Sequence, residues 1–309
     1  MRIAVTGATG RVGGRVVALL AAADEHQVVA LSRRPPGAAR LRHRSPRVVE
    51  ASADYADLPA LRAALRDVDA LVFVSSDGEA TNVLHHHQCA IRAATDSGVT
   101  HIVALSGLDA DLSSPFCYAV TYGHTEHLLA GSDCRVSIAR ASIYTEFLLG
   151  FLTRAGGGQL RLPAADGRIS LVSRADVARC LAALAVAAPT GRHHDITGPE
   201  SLDLAAVATL AEQVWRRPLR YVDVTPAEHI VELARDGLEP WWIRVRDDVR
   251  LDPGTALGVG LRRGPGAHRS GARDGPGRAR PAPARLADRQ RSGCYRSASS
   301  VSAAAEAIS

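Results

Sequence analysis

Along the first 140 residues, short apolar runs bounded by glycine or polar turns alternate with stretches whose apolar positions recur every three or four residues. Residues 3–5, 27–31, 48–50, 70–76, 101–107 and 135–139 read as strands. Several are apolar throughout, as strands of a parallel sheet covered on both faces should be. Residues 16–20, 58–65, 81–97 and 118–129 read as helices between them. This alternation predicts an α/β fold, a doubly wound parallel sheet with helices on both faces.

The texture changes beyond Gly150. A glycine-rich turn (155–158), a strand-like run (168–172), a helix (174–187), a stretch that introduces the next helix (194–201), that helix (204–215) and a further strand (219–224) follow. These are too few for a large independent domain. Residues 1–150 are therefore expected to form the sheet domain, and 151–250 a small α/β substrate lobe over its carboxyl edge, within the same fold. Residues 251–309 lose apolar periodicity and become Arg, Gly, Pro and Ala. Such a segment buries too little apolar area to offset chain entropy, so a disordered tail is expected. A nucleic-acid arm and a shifted reading frame are the other readings of it.

Charge divides at the same place. All 37 basic residues are arginine; 27 of them face 28 acidic residues in 1–250, whereas 10 face 4 in 251–309. The pI near 9.2 thus belongs to the tail. A body without excess positive charge does not fit a nucleic-acid partner. The five cysteines have no CxxC spacing, which suits reduced thiols in the cytoplasm. The first strand begins at once, so no signal peptide is expected, and no apolar run has the length of a membrane span. A cytoplasmic monomer or homodimer without membrane contact is the expectation.

Candidate chemistry starts at Gly7, Gly10 and Gly13, spaced GxxGxxG between the first strand and the first helix. Such glycines permit a tight turn, a close backbone approach to a pyrophosphate and close strand–helix packing, with helix N–H groups facing the phosphates. A carboxylate ending the second strand would accept from a ribose 2′-hydroxyl, whereas arginine suits a 2′-phosphate. Arg33, followed by Arg34, therefore favours NADPH over NADH; solvated loop charges are the competing reading of both. Asp54 can accept from an adenine amino group while Tyr55 flanks the ring; helix capping by Asp54 or Asp57 is the competing reading. Ser75, Ser76 and Ser106 stand at carboxyl ends of strands, where such sheets bind ligands. His85, His86 and His87 are consecutive on a helix and cannot converge on one ion, and His124 and His127 have no evident third ligand, so no metal is expected.

The stretches Thr6-Gly-Ala-Thr-Gly-Arg-Val-Gly13, Ala53-Asp-Tyr55, Val74-Ser-Ser76, Ser114-Pro-Phe116, Thr125-Glu126 and Asp195-Ile-Thr-Gly-Pro-Glu200 together resemble the NmrA-like atypical short-chain dehydrogenase/reductases. Among these the chain is most similar to the NADPH-dependent quinone oxidoreductase and azoreductase-type members, over about residues 1–240. The resemblance implies a Rossmann domain with a small C-terminal lobe and NADPH across the carboxyl edge. By position, Gly7, Ala8, Thr9, Gly10, Arg11, Val12 and Gly13 would line the cofactor. Arg33, Val74, Ser75, Ser76, Ala141, Ser142, Ile143, Tyr144, Thr145, Glu146 and Arg174 would join them. The quinone reductases have Asn-Gly-Trp-Tyr where this chain has Ala141-Ser-Ile-Tyr144, and the family histidine before Gly-x-Thr-Glu is Tyr122 here.

Carbonyl reduction in the superfamily uses Tyr-x-x-x-Lys, the lysine lowering the tyrosine pKa. Here the spacing is Tyr118-x-x-x-Tyr122 and the chain has no lysine. That argues against an epimerase or alcohol dehydrogenase. Hydride transfer to a quinone-like or azo acceptor, a small molecule whose reduced atoms take protons from water, remains open. Tyr144 and Phe147 are expected to form an apolar shelf for the acceptor, with Tyr118 or Tyr122 donating a hydrogen bond to it; ordinary packing is the competing reading for each tyrosine. A non-catalytic NADP(H) sensor acting on a protein partner is the second functional reading.

Overall fold

A computed structural model of the chain describes residues 1–34, 37, 45–114 and 117–235. The expectations for 251–309, for 236–250 of the lobe and for Pro115 and Phe116 fall outside the described residues. The first half contains β1 (Arg2–Val5), α1 (Gly13–Ala22), β2 (Gln27–Ser32), β3 (Val48–Ser52), α2 (Leu58–Ala64), β4 (Ala70–Phe73), α3 (Ala80–Asp96) and β5 (His101–Gly107). Then come α4 (Cys117–Ala130), β6 (Arg135–Ala141), α5 (Thr145–Leu152), β7 (Gln159–Leu162), β8 (Arg168–Ile169) and α6 (Arg174–Val186). The described chain ends with β9 (His193–Ile196), β10 (Leu202–Asp203), α7 (Leu204–Trp215), β11 (Arg220–Asp223) and α8 (Pro226–Arg235).

Seven strands form one parallel sheet in the order β3-β2-β1-β4-β5-β6-β9. The order reverses between β1 and β4, which opens a crevice at their carboxyl ends. The doubly wound α/β fold read from the sequence is the fold of the chain. All six sequence-read strands are present, but the seventh, β9, lies in a stretch read only as introducing the next helix. Its residues, His-His-Asp-Ile, bury only Ile196, so an edge strand of this kind carries no apolar run to detect. The helix α5 and the strand β7 also escaped the sequence reading. In α5, Thr-Glu-Phe-Leu-Leu-Gly-Phe-Leu is apolar on nearly every side and shows little periodicity.

Each face of the sheet has its own core. On one side α1 and α6 bring Val16, Val17, Leu20, Val177 and Leu181 against Val5, Val28, Val72 and Val103. On the other side Leu61, Ala90, Ile91, Ala94 and Leu129 of α2, α3 and α4 cover Ala4, Val29, Leu71, Phe73 and Ile102. A third cluster joins Leu148, Leu149 and Leu152 of α5 to Leu160, Ile169, Val207, Ala211 and Leu219. Two small sheets accompany it, β8 antiparallel to β10 and β7 parallel to β11. Helix starts are marked in the sequence: Asp57 accepts the Ala60 N–H, Ser173 that of Asp176 and Asp203 that of Ala206.

Candidate functional site

The site is built from the turn between β1 and α1. Gly7 has φ +58°, and a Cβ on Gly13 would stand 2.3 Å from the Gly7 carbonyl oxygen. One on Gly10 would stand 3.0 Å from the same oxygen. The turn can close only with glycine at position 13. Helix α1 has no side-chain cap and no acidic residue in its first turn, so its N-terminal end is left for an anion. Arg15 Nη1 donates to the Arg11 carbonyl at 2.9 Å. Desolvation lowers the pKa of Arg174; Glu146 opposes that shift, and the charges of Arg11 and Arg15 add to it.

Residues 74–76, just past β4, are held from four directions. The Val74 N–H donates to Thr6 Oγ1 at 2.8 Å, and the Tyr55 hydroxyl donates to the Val74 carbonyl. Ser75 Oγ donates to the Leu105 carbonyl at 2.8 Å, and the Ser76 N–H donates to His87 Nε2 at 3.1 Å. Val74 Cβ lies 3.7 Å from where a Gly7 Cβ would be, so this segment and the glycine turn form one wall. Tyr55 is T-shaped on Phe73 and stacks on His86. Burial raises its pKa and keeps the phenol protonated as a donor. Asp54 is exposed and accepts the Ala56 N–H, while Asp57 caps α2, so the capping reading offered from the sequence applies to Asp57.

Across the crevice, β6 runs through Ala141 into Ser142 and Ile143, and Tyr144 precedes α5. Ser142 N–H donates to the Ile196 carbonyl at 2.9 Å and Thr145 N–H to that of Val172 at 2.9 Å. The Arg174 guanidinium lies over the Tyr144 ring, 4.7 Å from its centroid. Glu146 accepts the Arg174 N–H and pairs with its side chain at 3.8 Å. Burial pushes the Tyr144 phenol up to about 12, against the opposing pull of Arg174, so it is a poor acid. Phe147 meets Phe151 edge to face at 5.3 Å.

Helix α4 brings Tyr118 and Tyr122, which stack at 6.1 Å. The Tyr118 hydroxyl donates to Asp77 Oδ1. A Cβ on Gly107 would be 2.8 Å from the Tyr122 ring, so glycine lets this ring lie on the end of β5. One turn further on, Glu126 accepts from Ser106 Oγ at 2.6 Å and from Arg140 Nε at 2.9 Å, and takes a second Arg140 bond through its other oxygen. The hydroxyl of Ser106 is thus committed to tying α4 to β5 and β6. Hydrogen bonding to Glu126 raises the pKa of Arg140, with Asp195 and Asp109 adding to it.

The structure gathers the glycine turn, residues 74–76, residues 141–146 and Arg174 along one edge. It sets Asp54 in an exposed turn, and Arg33 on the surface at the end of β2. Sequence reasoning missed Thr6, Arg15, Asp77, Glu126 with Arg140, and His87. Of the histidine triplet, His85 is exposed, His86 half-buried and His87 fully buried. Val83, His87, Ala90, Ile91 and Ala94 form the buried stripe of α3, a spacing that marks position 87 as inward-facing. Among the described residues no group of three or more His, Cys, Asp or Glu side chains could hold a metal.

An uncapped helix N-terminus and a glycine cradle that a Cβ would fill fit a dinucleotide phosphate. They define a nucleotide-binding protein of the doubly wound class. The model of the family described as NAD(P)H-binding matches residues 7–187, and the chain belongs to that family. It is 31% identical over 239 residues to quinone oxidoreductase 2 of Escherichia coli K12, covering 76% of this chain and 82% of that protein. An NAD(P)H azoreductase of Xenophilus azovorans is 30% identical over 230 residues, 72% of this chain and 77% of the relative. The crystal structure of an NADPH-dependent quinone oxidoreductase from Escherichia coli complexed with NADPH superposes with a TM-score of 0.72 at 29% identity, over 79% of this chain and 87% of that one. The resemblance read from the sequence motifs and these relatives agree. Among the described residues no helix is long and apolar enough to cross a membrane.

Proposed function

We propose that the chain is a cytoplasmic NADPH-dependent reductase of quinone-like or azo acceptors that works without a tyrosine–lysine proton relay. What carries this reading is Tyr144 under the Arg174 guanidinium between β6 and α5, with Phe147 in the first turn of α5, in a chain with no lysine to activate a tyrosine. Gly7, Ala8, Thr9, Gly10, Arg11, Val12 and Gly13 would hold the pyrophosphate, Arg33 the 2′-phosphate, and residues 74–76 and 141–146 the nicotinamide half. Bound there, NADPH would supply the hydride. Tyr144, kept protonated and flat beneath Arg174, excludes water and orients a planar acceptor. Glu146 holds Arg174 in that place. Tyr118 or Tyr122, once its hydroxyl turns from its present partner, would donate to the oxygen or nitrogen on which charge develops. A quinone or azo acceptor spreads that charge and takes its protons from water.

The test is NADPH against NADH oxidation with a panel of benzoquinones, naphthoquinones and azo dyes. Turnover that prefers NADPH, with the preference reduced in Arg33→Ser, supports the reading. Tight cofactor binding without turnover of any acceptor would replace it with a sensor of the NADP(H) ratio. Unchanged quinone reduction in the Tyr118→Phe/Tyr122→Phe double variant would remove the hydrogen-bond role of those tyrosines.

A further inference from the structure

Residues 74–78 and α4 are joined at two points. One is the bond from Tyr118 to Asp77. The other passes through His87 of α3. The Ser76 N–H donates to Nε2 at 3.1 Å, so the ring proton must sit on Nδ1. Nδ1 lies 2.7 Å from Thr125 Oγ1, and Thr125 donates its own proton to the Thr121 carbonyl at 2.7 Å. Both ends of the imidazole therefore demand the same tautomer. The ring is completely buried and stands edge-on to Phe73 at 5.0 Å, which removes its freedom to turn.

We propose that His87 is a positioning residue of the cofactor and acceptor site, a rigid bridge that sets residues 74–78 against the tyrosine-bearing helix α4 through Ser76 and Thr125. This rests on the reductase reading for the meaning of the two sides, and on geometry alone for the bridge. A side chain needed only to fill the apolar stripe of α3 would be leucine or phenylalanine. Imidazole adds an acceptor at one end and a donor at the other, aimed at two different elements. Burial, with a contribution from His86, lowers its pKa to about 4, so the neutral bridging form persists at neutral pH.

Two variants cut the bridge at opposite ends. His87→Asn retains a donor near Nδ1 and loses the Ser76 bond; His87→Gln retains an acceptor near Nε2 and loses the Thr125 bond. NADPH affinity is read by fluorescence titration, and kcat and KM with a naphthoquinone, well below each variant's melting temperature. His87→Asn is expected to weaken NADPH binding about tenfold, the effect of a stranded buried N–H at the cofactor wall. His87→Gln is expected to keep NADPH affinity within about twofold and to lose kcat about tenfold, since its defect lies at α4. Thr125→Val cuts the same bond with the imidazole in place and should repeat that loss. Affinity and kcat unchanged in both His87 variants, or an unchanged kcat in Thr125→Val, would overturn the proposal. So would a nitrogen-15 spectrum of the wild-type chain showing the proton on Nε2, a measurement that depends on no variant folding. If wild type binds NADPH yet reduces no acceptor, the reductase reading fails, and the binding comparison with the tautomer still decides the role of His87.

Discussion

Lowering the pH from 7 to 4 titrates His87 in the unfolded chain before it titrates in the folded one. The folded pKa is lowered from 6.5 to about 4, chiefly by burial. Below 6.5 the unfolded state takes up a proton that the folded state refuses. The stability due to the neutral ring is therefore complete above 6.5 and is lost as the pH falls toward the folded value. Linkage gives a loss of about 1.8 kcal/mol between pH 7 and 5, and about 3 kcal/mol by pH 4. Urea unfolding of the wild type and His87→Gln, followed by far-ultraviolet circular dichroism at several pH values, isolates this quantity, because the other histidines are common to both chains. The wild type's advantage over the variant should shrink by about 1.8 kcal/mol from pH 7 to 5. An advantage that stays level within about 0.5 kcal/mol would mean that the ring charges without cost, refuting the buried neutral bridge.

Other consequences can be measured as directly. Gly13→Ala puts a methyl 2.3 Å from the Gly7 carbonyl oxygen, so the turn must open; NADPH affinity should fall at least about tenfold in a fluorescence titration, more than for Gly10→Ala, whose contact is 3.0 Å. Glu126→Gln removes the charge held by Arg140, both side chains being mostly buried at 13% and 21% exposure; nearby Asp195 and Asp109 offset part of the loss. A decrease of about 1–3 kcal/mol in urea unfolding is expected. Thr145 is 4% exposed and its Oγ1 has no hydrogen-bond partner among the described residues, at an apolar cavity of about 20 Å³ bounded by Leu148, Leu171, Val207 and Trp215. Thr145→Val should raise the melting temperature, reflecting about 1 kcal/mol of relieved desolvation.

The sheet was legible because its central strands are buried on both faces and therefore spell themselves as apolar runs, as Ala70 to Phe73 and Ile102 to Leu105 do. The glycine turn was legible because its three glycines answer to steric demands local to the chain. What the sequence concealed depends on contacts far apart in it. Nothing near position 126 announces that Glu126 will meet Arg140 and Ser106, and β9 joins the sheet with a sequence that is mostly polar. His87 was visible only as one of three histidines. Its spacing from Val83, Ala90 and Ala94 separates it from the exposed His85, but its bonds to Ser76 and Thr125 depend on contacts that the chain's own periodicity does not show.

The return of the chain to the sheet after the small lobe has a bearing on how the protein comes into being. Val177, Ala178 and Leu181 of α6 cover the same face as α1, and β9 seals the β6 edge, yet both are made only after α5, β7 and β8. During synthesis, a nascent chain that has emerged only as far as residue 150 presents an apolar face covered by α1 alone and an open strand edge. Completion of the nucleotide-binding half must wait for residue 196, and until then the growing polypeptide offers the kind of surface on which chaperones act.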